Sequence, residues 1–427
     1  MARPRFRPAS RLLAAASAAA VLVLLAGCDA LLPSVPDDTT LLDGPVAGLS
    51  GTQLAVFARG DAEFNRDFSA LEGAGPIFVA NSCGACHVGD GKGHPVFNLT
   101  RFGRMVGGVF DPMRAQGGPQ VQNRAVQRYI AEVVPDGATG VSLFTAPAVT
   151  GLGFLEAVDD TTLLRLADPD DADGDGISGR VQLLDEDDLI VEVTSLDAVA
   201  DENGPTRGLP IGGKYIGRFG KKGVTVNLLQ QAVTAYHQDM GLTSDLVPED
   251  LFNRQVGTFA SDDAPDPEVG SSTVSAVVFY LKTLRPPPRR NAQDPDVLAG
   301  ETLFAAAGCA GCHLPTLRTG ATPIGPLNQA EFHPYTDLLL HDMGAELDDG
   351  YTEGIALTSE WRTPPLWGVG LAADAQGGRM HLLHDGRAKS FAESIELHGG
   401  EAGASRASFR GLSMAQQAQV VRFLESL

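Results

Sequence analysis

Two stretches of the chain combine residue types that do chemistry at a spacing that lets them do it together: Cys83-Gly84-Ala85-Cys86-His87 and Cys309-Ala310-Gly311-Cys312-His313. A c-type haem needs two thiols close together for thioether bonds and an imidazole beside them for the iron. Cys-x-x-Cys-His supplies all three on one turn. The competing reading is one zinc site built from all four cysteines. A His directly after both pairs, in a chain that opens with an export-like segment, favours two covalent haem c groups, with His87 and His313 as proximal ligands.

The sixth iron ligands decide what such a protein does. Iron with two strong protein ligands passes electrons, whereas iron with an open sixth position binds peroxide or oxygen. For the second haem the candidates are His341, Met343, Met380, His381, His384 and His398, and for the first His94, Met105 and Met113. His237 and Met240, about one helical turn apart, read as core or surface residues. Trp361 and Trp367 read as core packing, with an electron relay between haems as the alternative for one of them.

Two further groups carry potential chemistry. Asp171, Asp173 and Asp175, followed by Gly176, match the start of a calcium loop, with Ile177 offering its carbonyl. Position twelve is Gln182, not Glu, so Asp185 or Glu186 would have to substitute; a solvated acidic loop is the alternative. Lys214, Arg218, Lys221 and Lys222 form a basic cluster in an acidic chain, suited to haem propionates or simply to solvent.

The elements that position these residues are preceded by a leader. Arg3, Arg5, Arg7 and Arg11 precede an apolar run from Leu12 to Ala26, which reads as a signal over residues 1–27. Leu25-Ala26-Gly27-Cys28 resembles a lipobox, so Cys28 is expected to carry lipid and hold the protein on a membrane surface facing the periplasm. Asp29 resembles an inner-membrane retention signal, a rule that varies among bacteria. With Cys28 assigned to lipid and two pairs to haem, none of the five cysteines is left for a disulfide or dithiol chemistry. The chain has 53 acidic and 32 basic residues, a net charge of −21, and loss of the leader removes four more arginines. This excludes nucleic acid as a main partner and suits a basic electron donor or calcium.

Residues 28–70 read as a tether rich in Pro, Asp, Thr and Gly. A haem domain with an acidic-loop insertion is expected over 71–285 and a second over 291–427, divided by Arg285-Pro286-Pro287-Pro288-Arg289-Arg290. Val226, Leu229, Val233, Tyr236 and Met240 fall on one helical face, Val274–Leu284 predicts an apolar helix, and Leu189–Val193 suggests a small β element. A helix ahead of Cys309 and a closing helix over Met414–Leu427 resemble the cytochrome c fold. Pro147–Phe154 and Pro364–Leu371 repeat a Pro and paired-Gly pattern after each haem motif. The fold class is therefore mainly α, two tandem cytochrome c-like haem domains with irregular insertions and a small β element.

Tyr335–Gly344, Trp361–Gly368, Leu382–Ala388, His398–Ala402, Ala167–Arg180 and Gly217–Gly220 together resemble the bacterial di-haem oxidoreductase family, described as peroxidases or "thiol oxidoreductases". The C-terminal part is more distantly similar to di-haem cytochrome c peroxidases and MauG-type enzymes. That resemblance implies a sixth ligand a set distance after His384-Asp385-Gly386, which lands on His398. It also implies a catalytic Glu in the N-terminal half. Aligning the repeat puts Glu156 opposite His384, where a carboxylate would move a proton between peroxide oxygens. The position matching His398 falls near Asp170, which leaves the His87 haem open and makes the His313 haem the relay. The implied function is a membrane-tethered di-haem peroxidase fed by a small cytochrome or cupredoxin. The alternatives are a pure electron-transfer cytochrome and a MauG-like enzyme acting on a protein.

Overall fold

A computed structural model describes residues 42–186, 203, 211–257, 262 and 264–427. Cys28, the leader and the expected β element at Leu189–Val193 lie outside the described residues. Residues 42–427 form one compact unit. Helices make its frame, and two- and three-stranded antiparallel sheets fill the spaces between them.

The expectation of an unstructured tether to residue 70 is corrected. Helix α1 spans Gly51–Phe64 and opens on a capping box, with Ser50 accepting from the Gln53 amide and the Gln53 side chain accepting from Ser50. Val56, Phe57, Gly60 and Phe64 give it a buried face. Its weak amphipathicity hides that face in the sequence, since Arg59, Gly60 and Asp61 interrupt the pattern.

The other framing helices are α2 (Leu228–Thr234), α3 (Ser271–Thr283), α4 (Pro295–Ala306) and α5 (Met414–Ser426). They form two crossings. α1 packs on α3 and α4 packs on α5, and each crossing closes on a glycine. A Cβ on Gly60 would sit 2.1 Å from the Ala276 carbonyl oxygen, and one on Gly300 would sit 2.0 Å from that of Gln419. Only glycine lets the two backbones approach so closely. The glycine is followed four residues later by phenylalanine in both cases. Phe64 meets Tyr280 at 5.4 Å between ring centroids and Phe304 meets Phe423 at 5.2 Å.

The Pro and paired-Gly repeat docks on the end of each closing helix. The Gly151 amide donates to the Leu284 carbonyl and the Gly368 amide to that of Leu427. Gly153 lies against the Lys282 backbone and Gly370 against that of Glu425. The largest apolar cluster draws on both sides of the proline run, joining Leu229, Val277 and Phe279 to Leu317, Phe332 and Trp367; a second cluster around Phe304, Phe391 and Phe423 belongs to the C-terminal half. An antiparallel sheet of Leu99–Val106, Val109–Asp111 and Gly140–Phe144 follows the first Cys-x-x-Cys-His motif and was not expected. Its hairpin turns on Gly107-Gly108, both with positive φ, which is the local signal that marks it.

Candidate haem sites

Both Cys-x-x-Cys-His motifs fold as a single helical turn. The His87 amide donates to the Cys83 carbonyl at 2.9 Å and the His313 amide to that of Cys309 at 3.0 Å. Ser82 caps the first turn by accepting from the Ala85 amide. The Gly-x-x-x-Phe elements of α1 and α4 aim their rings at the histidines. Phe64 lies 6.0 Å from His87 and Phe304 lies 6.2 Å from His313, at interplanar angles of 49° and 51°. Burial pushes the Cys83 and Cys86 thiols up to about 12 and that of Cys309 to about 11. A reactive thiol needs the opposite shift. Among the described residues, no metal-sized cluster joins the two cysteine pairs, so the single four-cysteine zinc site does not form.

The nine histidines differ in their ring-nitrogen partners, and His333 Nδ1 meets the Thr316 hydroxyl at 3.0 Å. An imidazole that binds iron through Nε2 must keep its proton on Nδ1, and a backbone carbonyl facing Nδ1 holds it there. His87 Nδ1 donates to the Pro147 carbonyl at 2.7 Å, His313 Nδ1 to that of Tyr335 at 3.0 Å, and His398 Nδ1 to that of Ser394 at 2.7 Å. Among the described residues none of these three has a hydrogen bond at Nε2. Burial pushes His87 and His313 down to about 4 and lowers His398, so all three are neutral at pH 7. His398 also lies within electrostatic reach of His313.

The other sequence candidates are committed elsewhere. His94 Nδ1 accepts from the Val96 amide and so carries its proton on Nε2, whereas His381 Nδ1 lies between the Lys389 ammonium at 2.7 Å and the Gly386 carbonyl at 3.3 Å. His384 Nε2 donates to Asp349 at 2.8 Å, and its ring stacks on Trp361 at 3.7 Å and 9°. His341 is clamped on both nitrogens, by Asp337 at 2.8 Å and Glu401 at 2.7 Å. Despite its burial these partners hold it up at about 12, an imidazolium beside Cys312. His237 donates through Nε2 to the Glu249 carbonyl. Met113 is buried with Phe102 and Val121, Met105 is exposed, and Met343 packs with Trp361 and Tyr351. Met380 joins the cluster that holds Cys309. The Trp361 indole donates to the Leu347 carbonyl, and Trp367 packs on Phe332, as core residues do.

Glu156 matches His384 only across an insertion after the paired glycines; counted directly from Gly151 and Gly368 it falls opposite Ala373. Its two carboxylate oxygens are taken. One accepts from the Leu228 amide at 2.7 Å and the other pairs with Lys282 at 2.9 Å. Lys282 is two residues beyond Tyr280 on α3, hence on the far side from the Phe64, Tyr280 and His87 contacts. His398 lies eight residues beyond Ser390 and just past the end of Phe391–Glu396, whereas eight beyond Asn227 is Ala235, still inside a helix that runs on to Asp239, and Met240 after it meets the Cys83 sulfur at 4.0 Å. The alanine offers iron nothing.

In the acidic loop, Asp168, Asp171 and Asp173 draw together, with Asp168 in place of the expected Asp175. Asp175 instead accepts from the Ile177 amide. Gln182 is buried on a strand, with its amide spent on the Lys222 and Glu353 carbonyls, and Asp185 pairs with Lys214. Neither completes a twelve-residue loop.

The basic cluster divides. Arg218 is fully buried on the carbonyls of Leu155, Glu156 and Val158 and on Asp160. Lys222 donates to three carbonyls and caps the Trp361 ring at 3.9 Å. Lys221 alone faces the haem motifs, within electrostatic reach of His87, Lys92 and Arg362.

Comparison with known proteins adds a family. The family model described as "Di-haem oxidoreductase, putative peroxidase" matches residues 125–427, which include the second Cys-x-x-Cys-His, Glu156 and His398. No curated protein matches the chain. Among solved structures, a chain of hydrazine synthase from Kuenenia stuttgartiensis aligns over 92% of this chain and 93% of its own, at 14% identity and a TM-score of 0.38.

Proposed function

Because the chain belongs to the di-haem oxidoreductase family, we propose that it reduces peroxide with electrons from a small donor protein, using one closed and one open haem c. Cys83 and Cys86 would attach the first haem and Cys309 and Cys312 the second, with His87, His313 and His398 as the imidazoles that would ligate iron, His398 at the second haem. The observation that carries this reading is a shared pattern of ring contacts. His87, His313 and His398 each give Nδ1 to a backbone carbonyl and have no described hydrogen bond at Nε2, and His398 lies near His313. Haem, when bound, supplies iron that exchanges electrons and, where a position is open, binds peroxide oxygen.

The protein's own groups do the rest. The Pro147, Tyr335 and Ser394 carbonyls fix the three rings and keep them neutral. Phe64 and Phe304 buttress the proximal rings and exclude water from them. Ala235 leaves the first iron without a protein partner at the register where His398 serves the second. Glu156 supports the α2–α3 packing and is not the proton carrier in this account. Lipid on Cys28 would hold the protein at a membrane surface facing the periplasm, where a small cytochrome or cupredoxin can reach it. The deciding experiment loads the protein with haem, counts haem c by its alkaline pyridine spectrum, and measures peroxide consumption with a reduced small cytochrome. Two haems per chain with sustained turnover are expected. Two haems with no peroxide consumption would make the protein an electron carrier, and no covalent haem would end the proposal.

A further inference from the structure

Lys92 and Arg362 lie within electrostatic reach of Lys221 beside the His87 motif, with no carboxylate in ion-pair contact with any of the three among the described residues. Lys92 lies five residues beyond His87, and its Nζ donates to the Leu383 carbonyl at 2.8 Å. Arg362 donates to the carbonyls of Gly220 at 2.9 Å and Thr363 at 3.1 Å, and its amide donates to the Lys221 carbonyl. The Lys221 ammonium has no hydrogen-bond partner among the described residues. No described carboxylate lies within ion-pair distance of any of the three; Asp385 attracts the two lysines and Asp337 attracts Arg362 from farther off, and Asp385 is itself paired with Arg387 at 2.6 Å. All three are half-buried.

That arrangement is costly. Enclosure pushes Lys92 down to about 8, Arg362 to about 10 and Lys221 well below its ordinary range, and Lys92 and Arg362 both repel Lys221. Burying a charge without a partner costs several kcal/mol, on the order of the whole stability of a domain. A chain with 53 acidic residues has carboxylates to spare, yet no described one makes an ion pair with these three, which leaves their direct contacts open to an anion from outside the chain. Their position is informative: Lys221 is within reach of His87, and Arg362 is within reach of Asp337, which holds His341 beside Cys312.

We propose that Lys92, Lys221 and Arg362 form an anion cradle for the propionate carboxylates of the His87 haem, on the side that faces the second haem. The inference rests on the two-haem reading above. Two ammonium groups and one guanidinium fork match two carboxylates in charge and donor geometry. They are positioning residues: they fix the plane of the first haem against the second and set a positive field beside its iron.

The test uses haem-loaded full-length protein, with the pyridine spectrum confirming two haems in every sample. Resonance Raman spectra report hydrogen bonding to propionates through their bending bands, and a redox titration reports the field at each iron. Lys221→Met should shift the propionate-bending bands of one haem and lower the midpoint potential of that haem alone, since a lost cation favours the ferric form. Lys221→Arg should restore both readings toward the unaltered protein. Lys92→Gln, which keeps the stem, is the second variant if Lys221→Met does not mature, and it should move the same haem. Unchanged propionate bands in Lys92→Gln and Lys221→Met, with two haems still counted, would overturn the cradle and leave the two-haem reading standing. Absence of covalent haem in the unaltered protein would overturn both.

Discussion

The two halves of this protein build the same support and then finish it differently. Each has a glycine-closed helix crossing, a phenylalanine one turn on that leans on the histidine, a one-turn Cys-x-x-Cys-His, and a paired-glycine turn docked on the end of the closing helix. The difference lies eight residues past the cap of a helix that follows. There the second half presents His398, with no described hydrogen bond at Nε2, and the first presents Ala235. On the proposed reading, the attachment motif sets where a haem would sit, while a residue about two turns past a helix cap would set what it can do.

The comparison can be broken most severely at His398. His398→Ala should leave two haems attached but convert the second from low spin to high spin, so that both bind cyanide. An unchanged spectrum would mean that the halves do not differ there. The next effect concerns a charge found only in the second half. His341→Asn leaves Asp337 and Glu401 facing each other and should cost about 3–5 kcal/mol in denaturant unfolding. Because folding raises the pKa of His341 to about 12, its stabilisation is fully present below about 6.5 and is lost as pH rises toward 12. The difference in stability between the unaltered protein and the variant should therefore shrink on the alkaline side.

Glu156→Gln sharpens the comparison in the first half. It keeps a hydrogen-bond acceptor for Leu228 but strands the Lys282 ammonium, so stability should fall by about 3 kcal/mol while peroxide turnover per intact molecule stays unchanged. Loss of turnover at full stability would return Glu156 to the active site. The smallest effects should be the most alike. Gly60→Ala and Gly300→Ala each push a methyl into a facing carbonyl and should each cost about 1–3 kcal/mol, read as matched shifts in unfolding midpoint. A clear cost in only one half would show that the two crossings are not equivalent.

Much of this was legible in the chain because it is local. Cys-x-x-Cys-His and the Pro and paired-Gly repeat are short motifs whose geometry follows from spacing, and α3 and α5 show their apolar stripes openly. α1 was missed because Gly60, the residue that makes the crossing possible, also breaks the hydrophobic pattern. The partners of Glu156, the Leu228 amide and Lys282, come from distant segments and could not be read from the repeat. The Lys92, Lys221 and Arg362 group was only partly visible, since its members come from segments far apart and only Lys221 stood out in a basic run. His398 was reached through resemblance; its Ser394 contact supplies the physical reason, a proton held on Nδ1 by a carbonyl one helical turn earlier.

The most direct test of the central claim is an electron paramagnetic resonance spectrum of the fully ferric, haem-loaded protein, before and after cyanide. One high-spin and one low-spin haem of equal weight, with a single cyanide bound per chain at the high-spin site, is the predicted result. Two low-spin haems that ignore cyanide, or two high-spin haems that both bind it, would contradict the account.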